Sequence, residues 1–451
     1  MTEISTQNLT ETPATPTLKQ AFWYWLKLGF ISFGGPAGQI AIMHTDLVEN
    51  KRWISEKRFL HALNYCMVLP GPEAQQLATY IGWLMHKTRG GLIAGVLFVL
   101  PSLLILILLS YIYMRFGDLP AVAGVLYGIK PAVVAIVLFA AYRIGSRALK
   151  NKALWAITVA SFVAITVLHL PFPLIILTAA LIGFLVNRYQ PALFVAANGH
   201  ESNQKNYGSA VIDDDSPTPA HAKFNFKTFT KFITIGITIW LLAMLLLVLR
   251  YGWDATFTQM AWFFTKAALL TFGGAYAVLP YVFQGAVVHY AWLTPTQMMD
   301  GLALGETTPG PLIMVVAFVG FVGGWSHAPL ADPLVSAVVA ACVVTFFTFL
   351  PSFIFIFVGA PFIESTQNNL KLNAPLTAIT AAVVGVIAAL ALYFAIQVLL
   401  PKGFVAKGAY IDWPAALAAA LGFVALYKYK FSILKLIGVF ALLGLLHQYL
   451  L

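Results

Sequence analysis

Long apolar stretches alternate with short polar ones along the whole chain. Apolar segments fall near residues 21–44, 60–85, 91–114, 120–142, 153–169 and 171–187, and a polar stretch follows at about 189–231. A single segment, 232–250, comes next, and then 261–288, 298–325, 334–359, 374–400, 412–427 and 433–451. Most of these reach the roughly 20 residues that a helix needs to cross the hydrocarbon core. The pattern therefore predicts an all-α, polytopic integral membrane protein. It divides into a disordered cytoplasmic tail (1–20), a first membrane repeat (21–188), a polar linker (189–231), a connecting transmembrane helix (232–250) and a second membrane repeat (251–451).

The two groups of six segments are copies of one another. Phe33-Gly34-Gly35-Pro36 returns as Phe272-Gly273-Gly274-Ala275, a shift of 239 residues that also takes Trp23 to Trp262, Lys27 to Lys266 and Trp53 to Trp292. The same shift takes Pro70-Gly71-Pro72 to Pro309-Gly310-Pro311. Beyond an insertion of 11 residues near Trp325 to Pro333 the shift becomes 250, and Leu100-Pro101-Ser102 matches Leu350-Pro351-Ser352. A repeat of this length sets the architecture before any residue-level reading. An odd segment between two six-segment copies starts the second copy from the opposite side of the membrane. The chain is thus expected to be an inverted-topology repeat, a common plan among secondary transporters. Duplication without functional symmetry is the alternative.

The first two segments of each copy are interrupted near their middle by Gly-Gly or Pro-Gly-Pro. Pro lacks an N–H and pushes the preceding residue out of the helical region, so helices break there. The broken segments can be read as full spans or as hairpins that enter and leave on one side. Hairpins place Lys51, Arg52, Lys57 and Arg58 with the other basic loops, while the equivalent loops 289–297 and 326–333 carry no Lys or Arg. The positive-inside bias favours hairpins and a cytoplasmic N-terminus.

Non-helical backbone at membrane depth is tolerated only where protein buries it or where it lines a wet cavity. Pro36, Pro72 and Pro311 read as first residues of new half-helices, where a missing N–H is harmless. Gly34, Gly35, Gly71, Gly273, Gly274 and Gly310 let a ligand approach bare backbone. A helix start offers free N–H groups and roughly half a positive charge, and so favours anions. The breaks at Gly34-Gly35-Pro36, Pro70-Gly71-Pro72, Gly273-Gly274 and Pro309-Gly310-Pro311 are accordingly the candidate anion site; a packing kink is the bland alternative for each alone. Gly38, inside the second half-helix, is expected to accept Ala. Lys27 and Lys266 each precede a Gly-Gly pair by seven residues, about two helical turns, and are candidate anion ligands. Snorkelling to the interface is the competing reading. Glu73 and Glu306, beside the two Pro-Gly-Pro breaks, are candidates for a coupling proton; helix-dipole stabilisation of the carboxylate is the alternative for Glu73.

Composition narrows the function class. The chain has 451 residues, 60% of them hydrophobic and 10% charged, with a formal net charge of +10. The basic residues sit mostly in short loops between apolar segments, so topology explains the charge and the partner is the lipid bilayer rather than nucleic acid. Two isolated cysteines, Cys66 and Cys342, give no disulfide framework or metal site. There is no phosphate-binding GxxxxGK[ST] and no HExxH. No cofactor is implied, and transport would draw on the membrane potential, an ion gradient or a partner subunit.

Phe33-Gly34-Gly35-Pro36, the run from Leu69-Pro70-Gly71-Pro72-Glu73 through Tyr80-Ile81-Gly82-Trp83, and the second-half Phe272-Gly273-Gly274 and Pro309-Gly310-Pro311 resemble the chromate ion transporter (CHR) family in its long-chain, two-domain type. The resemblance covers nearly the whole chain. It implies a bacterial inner-membrane protein that exports chromate and confers chromate resistance. Ala275 departs from the pattern, standing where the first copy has Pro36. Sulfate is a second tetrahedral dianion of similar size, so an uptake carrier or exchanger for sulfate-like anions is the alternative within transport. A membrane-embedded enzyme is the alternative outside it. Homodimerisation is left open.

Overall fold

The computed structural model describes residues 13–189, 207–365 apart from 215, 218 and 273, 373–400 and 411–450. Among them every regular element is a helix; the one β feature is an isolated bridge between Ile54 and Ile212. In the first copy these are α1 (Leu18–Ile31), α2 (Gly35–His44), α3 (Glu56–Val68), α4 (Glu73–Phe116), α5 (Pro120–Ala148), α6 (Lys152–Thr166) and α7 (Phe172–Tyr189). Helix α8 (Phe226–Tyr251) connects the copies. The second copy holds α9 (Thr256–Leu270), α10 (Ala275–Phe283), α11 (Pro295–Thr307), α12 (Val315–His327), α13 (Pro333–Ser365), α14 (Asn373–Leu399), α15 (Trp413–Tyr427) and α16 (Ile433–Leu450). Six described helices are long and apolar enough to span a membrane: α4, α5, α8, α13, α14 and α16. The protein is a multi-pass membrane protein.

The sequence repeat is also a repeat of local structure. Both α2 and α10 run into a π-helical turn, Thr45–Asn50 and Gln284–His289. The loops after these turns close with the same bonds: Trp53 N donates to the Leu47 carbonyl and Trp292 N to that of Ala286, both at 2.8 Å. Helix α3 is then capped by the Ser55 hydroxyl accepting from Arg58 N, and α11 by the Thr294 hydroxyl accepting from Gln297 N. Short hydroxyl side chains at these positions satisfy amides that the first turn leaves free.

The copies interlock, and several of the contacts between them have counterparts with the copies exchanged. The first copy's α6 and α7 pack on the second copy's α14, while the second copy's α15 and α16 pack on the first copy's α5. Small residues permit the close approach: Gly128 and Gly444 bring the backbones of α5 and α16 together, and Gly385 does so for α14 against Thr158 of α6. The Thr158 hydroxyl also donates to the Ala381 carbonyl at 2.8 Å. Residues Ile356, Phe357, Ala360 and Ile363 of α13 are buried in the core of α1–α4.

Two details differ from the sequence reading. Residues 207–222, apart from 215 and 218, fall in the stretch read as a polar linker, yet they pair with the first copy. Val211 N and Ile212 N donate to the Arg52 and Trp53 carbonyls, Ser55 N donates to the Ile212 carbonyl, and Ser55 Oγ donates to Asp214. This strap pairs with a loop edge that has unpaired backbone groups, a match invisible in composition. Helix α8 starts at Phe226 rather than near 232, capped by the Asn225 side chain. Helix α4 reverses direction at the expected boundary: His86 and Lys87 leave helical geometry, and Gly90 and Gly95 of the second half pack against Gly82 and Thr79 of the first, so the two halves form a hairpin.

Candidate functional site

All four breaks meet. A narrow cleft is lined by Pro36, Gln39, Pro72, Glu73, Ala74, Ala275, Pro311 and Leu312, with room for about one water-sized group. Pro36 is in the first turn of α2, Glu73 and Ala74 open α4, and Ala275 opens α10. Leu312 opens the 3-10 turn that leads into α12. Four helix N-termini therefore face one cleft, each contributing unpaired amides and partial positive charge. The proline registers differ slightly from expectation: Pro36 is the second helical residue of α2, whereas Pro72 and Pro311 cap their helices from outside.

The breaks are held against each other by a reciprocal pair of bonds. Gly71 N donates to the Thr271 carbonyl at 2.7 Å, and Gly310 N donates to the Ser32 carbonyl at 2.8 Å. Gly71 and Gly310 are equivalent under the 239-residue shift, and so are Ser32 and Thr271. Each break of one copy thus satisfies a break of the other, which meets the demand that buried backbone polar groups be paired. Both glycines have positive φ, 126° at Gly71 and 97° at Gly310. Each also lies against the equivalent serine of the other copy: a Cβ on Gly71 would meet Ser352 Oγ at 2.6 Å, and one on Gly310 would meet Ser102 Cβ at 2.8 Å.

Other predicted residues fall variously around the cleft. Gly34 and Gly35 take positive φ, 89° and 70°, and a Cβ on Gly35 would meet no atom within 4 Å. Bare backbone is open to approach there. Gly274 also has positive φ and lies beside Glu73, whose Oε1 would be 4.0 Å from a Cβ on it. Gly273 lies outside the described residues. Pro70 accepts through its carbonyl from Gln76 Nε2 at 2.8 Å, and Pro309 leads into the Gly310 crossing. Glu306, at the end of α11, accepts a hydrogen bond from the buried Tyr276 hydroxyl. Gly38 is crowded: its Cβ would stand 2.9 Å from the Phe33 carbonyl oxygen, so Ala is not freely accepted.

Lys27 and Lys266 are not brought to the cleft. Lys27 is exposed on α1, and Lys266 is half-buried with its Nζ 5.4 Å from the Trp262 ring centre. Helix α1 ends at Ile31, so the two-turn spacing from Lys27 to Gly34 does not run along one helix. The positions suit snorkelling and cation–π contact.

Sequence reasoning missed the polar side chains around the crossing. Gln39 is fully buried, and its Nε2 donates to the Ser32 carbonyl at 3.2 Å and to the Gly310 carbonyl. Gln76 Nε2 reaches Ser352 Oγ at 3.5 Å as well as Pro70. Ser32 Oγ and Ser102 Oγ are buried without a partner among the described residues. They leave two hydroxyl donors near the crossing. The available signal was Gln75-Gln76 one residue beyond Pro-Gly-Pro-Glu, and Ser102 matching Ser352 in the repeat.

The comparisons identify the family. The chromate transporter family profile matches residues 19–184 and again 258–445, two stretches that coincide with the two copies. The chromate transport protein of Cupriavidus metallidurans is 31% identical over 424 residues, covering 93% of this chain and 90% of its own. A probable chromate transport protein of Synechococcus elongatus is 29% identical over 373 residues, covering 82% and 83%. An uncharacterized transporter of Methanocaldococcus jannaschii is 25% identical over 434 residues, covering 96% and 94%. These relatives are named as transporters, not as enzymes. No solved structure matches the chain. One profile found twice, at the spacing that separates the paired glycine breaks, places the chain in the chromate transporter family.

Proposed function

We propose that this protein is a secondary transporter that exports chromate across the bacterial inner membrane and so confers chromate resistance, with its N-terminus in the cytoplasm. The observation that carries the reading is the convergence of four helix N-termini on one cleft. Each end contributes about half a positive charge, so together they offset roughly the two negative charges of chromate. A tetrahedral oxyanion accepts hydrogen bonds from all sides, which suits donors arriving from both copies and the free Ser32 and Ser102 hydroxyls. Relatives named as chromate transport proteins cover most of the chain and support chromate over other oxyanions.

Direction follows from electrostatics. A potential negative inside drives a dianion outward by about 2.3 kcal/mol per charge per 100 mV. Glu73 shares the cleft and would repel a dianion while ionised. Its protonation on anion entry would couple a proton to each cycle. The odd helix α8 between the two copies and the reciprocal packing of α6 and α7 on α14 and of α15 and α16 on α5 support inverted topology, which gives a carrier two equivalent openings.

Radiolabelled chromate and sulfate uptake into everted membrane vesicles tests the reading. Saturable chromate accumulation that sulfate inhibits is expected. Sulfate flux without chromate flux would replace it with a sulfate-type carrier.

A further inference from the structure

Two buried polar clusters lie outside the cleft, and neither is needed to build it. In the first, the Arg58 guanidinium of α3 pairs with Glu364 of α13 at 2.6 Å, with side chains 15% and 3% exposed. The Tyr80 hydroxyl of α4 donates to the same carboxylate, and Arg58 also donates to the Ser216 carbonyl of the strap at 3.0 Å. In the second, Asp300 of α11, 2% exposed, accepts from the Tyr113 hydroxyl of α4 at 3.0 Å. Among the described residues its other oxygen has no hydrogen-bond partner.

The clusters occupy corresponding places in the two copies. The 239-residue shift takes His61, one turn after Arg58 on α3, to Asp300 on α11. The 250-residue shift takes Tyr113 to Ile363, the neighbour of Glu364. Each cluster therefore ties the helix that leads into one copy's Pro-Gly-Pro break to the far end of the other copy's long helix. Helix α3 runs from Arg58 to the Pro70 break, and α11 from Asp300 to the Pro309 break. The cleft itself has room for about a water-sized group, so a larger anion requires the helices around it to move.

We propose that the Arg58–Glu364 pair and the Asp300–Tyr113 pair are the two gates of the transport path, one at each end, which open in turn. This rests on the transport reading above. The chemistry explains why both are closed in one structure. A buried carboxylate held by a charge-assisted bond is costly to separate from its partner. An entering anion shifts the balance only by binding one open state better than the closed one.

The test reads access to the cleft and uses no transported substrate, so its failure is separable from a wrong choice of anion. Cys66 and Cys342 are replaced by Ala and a single cysteine is placed by Ala275→Cys, which lines the cleft. An impermeant thiol reagent is applied to right-side-out and to everted vesicles. Glu364→Gln is expected to raise labelling from one side by about tenfold or more, the factor that one charge-assisted bond contributes to an opening equilibrium. Asp300→Asn is expected to raise it from the opposite side. Exchanging the charges, Arg58→Glu with Glu364→Arg, should return labelling towards the starting rate, which a merely misfolded protein would not do. Unchanged labelling in both single variants, or an increase from the same side in both, would overturn the proposal.

Discussion

Replacing Gly310 by Ala perturbs the crossing of the two copies at one atom. The added methyl would stand 2.8 Å from Ser102 Cβ and 3.3 Å from its Oγ. These positions belong to helix α4, which cannot swing away as a long flexible side chain can. Overpacking of this kind costs about 1–3 kcal/mol. The residue also sits at φ 97°, where an L side chain costs about 1–3 kcal/mol more. The expected loss is roughly 3 kcal/mol, about a hundredfold in an equilibrium or opening rate. Gly35→Ala is the control: its φ is positive, but the new methyl meets nothing within 4 Å, so only the backbone part applies. Ser102→Gly in the Gly310→Ala background removes the overpacking and should recover about 1–2 kcal/mol as a non-additive coupling. Unfolding of such a protein in detergent is commonly irreversible, so the readout is the rate of loss of monodisperse protein at fixed temperature. The expected order of survival is wild type, then Gly35→Ala, then Gly310→Ala, with the double variant above Gly310→Ala. Equal survival of Gly35→Ala and Gly310→Ala, or no recovery in the double variant, would refute the crossing of these breaks.

Further outcomes follow from the same geometry. Gln39→Leu removes the donor from the Ser32 and Gly310 carbonyls; thermal lifetime should fall by the equivalent of about 1–3 kcal/mol, and chromate flux at matched protein level should fall with it. Gly38→Ala should shorten thermal lifetime, because its methyl meets the Phe33 carbonyl at 2.9 Å; a lifetime equal to wild type would contradict the tight α2 start. Lys27→Gln should retain chromate flux within about twofold, since its loss touches only a screened, exposed charge; abolished flux with normal protein level would return this lysine to the path. Glu73→Gln should leave chromate flux insensitive to an imposed pH gradient, whereas wild-type flux responds; identical pH responses would remove Glu73 from coupling.

The parts of the fold that were legible in the sequence rest on residues with few backbone options. Pro70-Gly71-Pro72 and Pro309-Gly310-Pro311 announce helix ends wherever they occur, and their common spacing made the repeat visible. What they could not announce is what each end touches. The bonds from Gly71 N to Thr271 and from Gly310 N to Ser32 join residues about 200 and 278 apart in the chain, and no local pattern encodes such a crossing. Gln39, Ser102 and Ser352 acquire their meaning only from it. The spacing of Lys27 is a different case: seven residues define a shared face only while the helix continues, and α1 ends at Ile31. The strap at 207–222 was hidden because its polar composition matches a disordered segment. Its order comes from pairing with the Arg52–Ser55 loop, not from a core of its own.

The central claim is that an oxyanion passes through the cleft where the four helix starts meet. Potential-driven chromate flux in proteoliposomes, compared between wild type and Ala275→Phe, tests it most directly. Ala275 lines the cleft and is buried, so a phenyl ring there fills the space that the anion must occupy. With both proteins monodisperse and equally reconstituted, the account predicts saturable flux in the wild type and none above background in Ala275→Phe. Wild-type flux in the Ala275→Phe protein would contradict it.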